Sequence, residues 1–202
     1  MKKIILASVG LILCAQVVAQ GYKIGAKVSD FNLRNVDENI ISLSSLEGNK
    51  GAIIIFTCNH CPFSQVYEQR IIDLDNKYRE LGYPVIAINP NDPAIQPEDS
   101  FEEMQRIAKD KSYPFPYTID ETQEVAKAYG ATRTPHVFVV EKVGKKGKYH
   151  LRYIGAIDDN AESGEKAQEH YVQMAVDALL AGKAVEKQEV KAVGCTIKWR
   201  KK

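Results

Sequence analysis

Ala52-Ile53-Ile54-Ile55-Phe56-Thr57-Cys58-Asn59-His60-Cys61-Pro62-Phe63 decides the fold of this chain. Its first five residues are apolar and mostly β-branched, which predicts a short strand buried on both faces. From Phe63 the period changes. Phe63, Val66, Tyr67, Ile71, Leu74, Tyr78 and Leu81 recur at helical spacing, and Gly82 is a stop signal. Pro62 suits an early helical position, where a backbone N–H has no partner anyway. Two cysteines two residues apart, at the exit of a strand and the entry of a helix, can form a disulfide with each other and lose it again.

Exchange chemistry needs a thiolate. Cys58 is expected just before the helix, where free backbone N–H groups and the helix dipole favour negative charge and lower a thiol pKa. Cys61 is expected one turn into the helix, in reach of Cys58. An imidazole at His60 would stabilise the Cys58 thiolate further and make the disulfide a better oxidant. A purely structural disulfide is the weaker reading, because so short a loop gains little from closure. Metal binding is the other reading. Cys58, Cys61, His60 and Cys195 are ligand types that suit copper or zinc, and His136 is the nearest additional candidate.

Further strands are predicted at Pro84 to Ile88, Phe115 to Ile119 and Pro135 to Val140. The last is followed by a turn at Gly144-Lys145-Lys146-Gly147 and a returning strand from Lys148 to Gly155. Helices are predicted between them. One is capped by Ser100 with Glu103, one starts at Asp120 with Gln123, and a last one runs through Tyr171 to Leu179. Phe31 to Leu33 and Ile40 to Leu43 form a small N-terminal strand pair. Alternating strands and helices predict an α/β fold with a mixed central sheet flanked by helices and an N-terminal strand extension. Thr134-Pro135 stands at the start of a strand, the position a sheet permits to proline. In cis it would leave a backbone edge free beside the cysteines.

On these residues the chain resembles the thioredoxin-like superfamily, in the redoxin branch related to peroxiredoxins and TlpA-like oxidoreductases. Cys58-Asn59-His60-Cys61-Pro62 resembles the family's active-site motif, Thr134-Pro135 its cis-proline, and Val28-Ser29-Asp30-Phe31-Asn32-Leu33 the opening of redoxins. Gly194-Cys195-Thr196-Ile197-Lys198-Trp199 resembles the ending of a peroxiredoxin-like subgroup that carries the Cys-x-x-Cys. The resemblance implies a thioredoxin-like fold without a cofactor. It makes Cys58 the nucleophile, Cys61 the resolving cysteine, and Thr134 and Pro135 the substrate groove. Its partners would be protein thiols or disulfides, or a small thiol, with an upstream redox partner. Cys195 is a possible third redox cysteine. Two positions depart from the pattern. Ala52 stands where thioredoxins carry a buried acid, leaving Cys61 without an identified proton acceptor. Gly51 and Ile55 stand where peroxiredoxins carry Pro and Thr, which speaks against the alternative of a thiol peroxidase.

The chain has 202 residues, 45% hydrophobic and 26% charged, enough for one domain with a substantial core. A net charge of +1 gives no electrostatic argument for nucleic acid. Lys2-Lys3, the apolar Ile4 to Ala15 and Val17-Val18-Ala19 read as a signal peptide over residues 1–19. Export to the periplasm or the extracellular space follows, with no stable membrane anchor after cleavage. The redoxin domain is expected over 24–182, and 183–202 as a charged tail bearing Cys195. With Cys14 removed, three cysteines remain, an odd number that cannot all pair within one chain.

Overall fold

The computed structural model describes residues 21–201 except 47 and 145–146. The signal sequence, Cys14 and the Lys145-Lys146 turn lie outside the described residues. In chain order the elements are β1 (Leu33–Asn35), β2 (Ile40–Ile41), β3 (Gly51–Phe56), α1 (Pro62–Tyr78), β4 (Val85–Asn89), α2 (Phe101–Asp110) and β5 (Tyr117–Ile119). They continue with α3 (Glu124–Tyr129), β6 (Arg133–Thr134), β7 (His136–Val143), β8 (Lys148–Gly155), α4 (Tyr171–Leu180) and β9 (Cys195–Thr196).

Seven strands form one mixed sheet in the order β2-β1-β5-β4-β3-β7-β8. β3, β4 and β5 run parallel, joined by the helical crossovers their sequence predicts. β7 and β8 form the expected hairpin, and β7 pairs antiparallel with β3, bringing His136 opposite Phe56. The N-terminal pair joins the sheet through β5.

Strand β3 is buried on both faces, as its continuous apolar run requires. Its alternate side chains feed two cores. Ile53 and Ile55 pack with Val85, Tyr67, Ile71, Leu74 and Met104, under α1, α2 and α4. Ala52, Ile54 and Phe56 pack with Ile86, Phe138, Tyr129 and Ile197, under α3 and the C-terminal segment. Residues 183–201 lie against the body of the protein. Val185, Ala192 and Ile197 are buried, and the Val190 N–H donates to the Ile154 carbonyl.

Three local readings shift. The buried stripe of α1 is Tyr67, Ile71, Leu74 and Tyr78, whereas Phe63, Val66 and Leu81 are exposed. Helix α3 starts one turn late. Gln123, in left-handed backbone, precedes it, and the Asp120 carboxylate receives the Ala126 N–H. Cys61 is the N-cap of α1 rather than a residue one turn into it. By contrast, Ser100 caps α2 as predicted, receiving the Glu103 N–H.

Candidate active site

The cysteine motif leaves the C-terminal end of β3, beside the end of β4, the side of a parallel sheet where ligand sites form. Cys58 is 5% exposed and Cys61 fully buried. The Thr134–Pro135 bond is cis, as the resemblance implies, and Thr134 meets both cysteines. Its hydroxyl lies 3.2 Å from Cys58 Sγ, and its carbonyl oxygen lies 3.1 Å from Cys61 Sγ. That carbonyl accepts the Cys61 proton when the thiol is protonated.

The edge beside the cis-proline is not free. β9 pairs antiparallel with β6, Cys195 opposite Thr134, and Cys195 Sγ lies 2.7 Å from Cys61 Sγ. The three cysteines, all free thiols, are thus gathered around one residue, Thr134.

Asp99, which the sequence reading passed over, organises the motif from the opposite side. It is fully buried. Its Oδ1 accepts from the backbone N–H of Asn59 at 2.7 Å and of His60 at 3.2 Å. Its Oδ2 accepts from His60 Nδ1 at 2.6 Å and from the Asn91 amide at 2.7 Å. Asn59 is held further by the Tyr117 hydroxyl, which donates to its side-chain oxygen at 2.8 Å. Without a buried acceptor here, two turn N–H groups would be left unpaired. His60 is therefore shared: Nδ1 is 3.7 Å from Cys58 Sγ, but its nearer partner is Asp99. The positive charge that an imidazolium would offer Cys58 is offset by the carboxylate.

This arrangement couples the acidities of the two thiols. Cys58 is pushed up, first by the hydrogen bond it shares with Cys61, then by burial and by the Asp99 carboxylate. Cys61 is pushed down to about 4, chiefly by that same hydrogen bond, with Cys195 and the Ser64 backbone N–H assisting against burial. The physical content is that the pair loses one proton easily and holds the other. The helix N-terminus acts on Cys61 because Cys61, not Cys58, caps it. Cys195 is pushed up to about 11, mostly by burial. A reduced sample should therefore keep one thiolate at neutral pH, seen as absorbance near 240 nm and lost as pH falls through about 4. Linkage has a matching sign. Cys61 is more acidic folded than unfolded, so reduced-state stability should rise from about pH 4 to the ordinary thiol value near 9. Above that value it should fall, because Cys58 and Cys195 resist ionisation in the fold.

A cavity of about 230 Å³ borders Cys58, lined also by Thr57, Asn59, Ser64, Gln65 and Tyr117. The buried Ser64 hydroxyl has no partner among the described residues. His136 is buried against Phe138 and held neutral, its pKa lowered to about 4 by burial and by Arg133. It is not in the one group of metal-ligand type found among the described residues, Cys58, His60 and Asp99, whose donor atoms lie within 4.8 Å of one another. Ala52 and Ile55 are fully buried in β3, and a Cβ at Gly51 would meet the Tyr83 ring at 2.2 Å, so these positions carry only packing.

An uncharacterised conserved protein of known structure from Geobacillus kaustophilus is 37% identical, with a TM-score of 0.81 over 89% of this chain and 94% of its own. A hypothetical protein from Sinorhizobium meliloti is 32% identical, with a TM-score of 0.81 over 91% of this chain and 98% of its own. The thiol-disulfide oxidoreductase ResA of Halalkalibacterium halodurans is 29% identical over 126 residues, 62% of this chain and 67% of its own length. The fold is thioredoxin-like. The family model of the AhpC/TSA family matches residues 24–146, and the chain belongs to that family, as a thioredoxin-like redoxin of the thiol–disulfide oxidoreductase kind.

Proposed function

We propose that this protein exchanges disulfides through Cys58 and Cys61, with Cys58 as the attacking sulfur. The observation that carries the reading is the placement of the pair. Cys58 borders the cavity and meets the Thr134 hydroxyl, whereas Cys61 is fully buried at the helix start. When a disulfide R–S–S–R′ reaches Cys58, the Cys58 proton passes to Cys61 and Cys58 Sγ bonds to RS, expelling R′S⁻. Cys61 then attacks Cys58 Sγ, the RS–Cys58 bond breaks, and RSH leaves with the proton. One disulfide has entered and two electrons have left the pair. The Cys61 thiolate thus takes the base role that Ala52 leaves vacant on its strand. Thr134 places its hydroxyl on Cys58 and Pro135 turns the chain behind it. His60 and Asp99 together set the charge that Cys58 faces.

Substrates come to Cys58 from the cavity side, since β9 covers the backbone edge by the cis-proline. That favours a small disulfide or thiol, or one protruding protein cysteine, over a long extended peptide. The pattern Lys2-Lys3, Ile4 to Ala15 and Val17-Val18-Ala19 supports export to the periplasm or beyond, where disulfides persist. Among the described residues no helix is long and apolar enough to cross a membrane. The test is trapping. Cys61→Ser incubated with glutathione disulfide should carry one glutathione on Cys58 by intact-mass and peptide mapping. An adduct confined to another cysteine would remove Cys58 from the attacking role.

A second reading rests on the Cys58, His60 and Asp99 group: retention of a metal ion. One equivalent of zinc held through dialysis against buffer, and lost in Cys58→Ser, would favour it over exchange.

A further inference from the structure

The C-terminal segment does more than close the fold. Gly194 leaves no room for a side chain, since a Cβ there would lie 2.2 Å from the Thr134 carbonyl oxygen. Arg133 Nη1 donates to the Gly194 carbonyl at 3.0 Å, and β9 then pairs Cys195 with Thr134. Ile197, 3% exposed, anchors the next turn in the core. Beyond it the Lys198 N–H donates to Asn91 Oδ1 at 2.8 Å, and the Gln123 amide donates to the Lys198 carbonyl at 2.9 Å. The same Asn91 donates to Asp99, so the segment and the cysteine motif are tied to one side chain. A free tail would hold a thiol anywhere. This one holds it 2.7 Å from Cys61 Sγ, inside the van der Waals contact of two sulfurs.

We propose that Cys195 is a third catalytic cysteine, which takes the disulfide from Cys58–Cys61 and stores it as Cys61–Cys195. This deepens the exchange reading above and rests on it for the arrival of the disulfide. Cys195 Sγ bonds to Cys61 Sγ, the Cys61–Cys58 bond breaks, and the Cys195 proton passes to Cys58. No electrons enter or leave, because one disulfide replaces another. Cys58 is thereby returned as a thiol facing the cavity, ready for a second substrate, while the oxidised pair sits under the C-terminal strap. The antiparallel pairing on the cis-proline edge sets Cys195 against Cys61, so the strap occupies that edge as an internal partner.

The linkage can be read directly. Trypsin leaves Cys58 and Cys61 together in the peptide 51–70 and Cys195 in the peptide 192–198. A Cys58–Cys61 disulfide is therefore internal to one peptide, whereas Cys61–Cys195 joins two. Reduced wild type, Cys58→Ser and Cys61→Ser would be treated with one equivalent of diamide, blocked with N-ethylmaleimide at low pH, and digested. Cys58→Ser should yield the joined peptides from monomeric protein, roughly tenfold or more above Cys61→Ser, because thiols held in contact react at high effective concentration. Wild type should show the joined peptides beside the internal disulfide. Joined peptides absent from Cys58→Ser, or wild type oxidised wholly to the internal disulfide with Cys195 blocked, would overturn the proposal. Thermal melts of each reduced variant identify a misfolded protein, and Cys58→Ala serves as the second variant. Diamide supplies the oxidation itself, so failure of exchange with substrate disulfides leaves this readout intact.

Discussion

Cys58→Ser is expected to reduce disulfide exchange to its uncatalysed rate, a loss of about 10³-fold or more. Cys61 remains in that variant, and it is the acidic thiol of the pair, so acidity alone would predict survival of activity. Two arguments go the other way. Cys61 is fully buried beneath the helix start and the strap, so a substrate sulfur has no line of approach. A thiolate held near 4 is also a weaker nucleophile than one whose pKa lies near the working pH. Steady-state turnover of glutathione disulfide or of a reduced test protein measures the effect. Activity within tenfold of wild type would transfer the attacking role to Cys61.

Asp99→Ala should be the most damaging change that spares every cysteine. It strips the acceptor from the Asn59 and His60 backbone N–H groups and from the Asn91 amide, all buried or nearly so. At ~1–3 kcal/mol for each buried donor left unpaired, the loss comes to about 3–9 kcal/mol. For a chain of this size that lowers the melting temperature by roughly 10 °C or more. Asp99→Asn separates structure from charge. One amide oxygen can still receive the two backbone N–H groups, but the negative charge that helps push Cys58 up is gone. The Cys58 thiol should become more acidic. The reduced form gains, so the disulfide should become more oxidising. An Asp99→Asn protein with an unchanged Cys58 titration would reduce Asp99 to a purely structural role.

The part of this site that was legible in sequence is the part that is local. Ile53 to Phe56 could only be a buried strand, and Pro62 set the helix start within one residue. Thr134-Pro135 announced itself by standing before Val137-Phe138-Val139-Val140. What stayed hidden depends on pairings across long separations. Asp99 sits in a polar, proline-bearing loop forty residues from the motif and acts only because β4 carries that loop alongside β3. Cys195 looked like one thiol in a charged tail. Its target, Thr134, becomes visible only once the cis-proline turn exposes β6 as an edge. Helix α1 starts at Pro62, so its N-terminal field reaches Cys61 before Cys58. Phe63 and Val66 fit the helical period but fall beside the stripe, and they border the motif as exposed apolar surface.

The most direct test is a redox titration of the wild-type protein in glutathione buffers, with free thiols counted by alkylation and mass. The account predicts one two-electron transition in which three free thiols become one. Its midpoint should be more oxidising than the ~−270 mV of thioredoxin, because the reduced state is stabilised by the Cys61 thiolate. Three thiols that stay free from about −120 mV to −300 mV, the span of known exchange proteins, would contradict it.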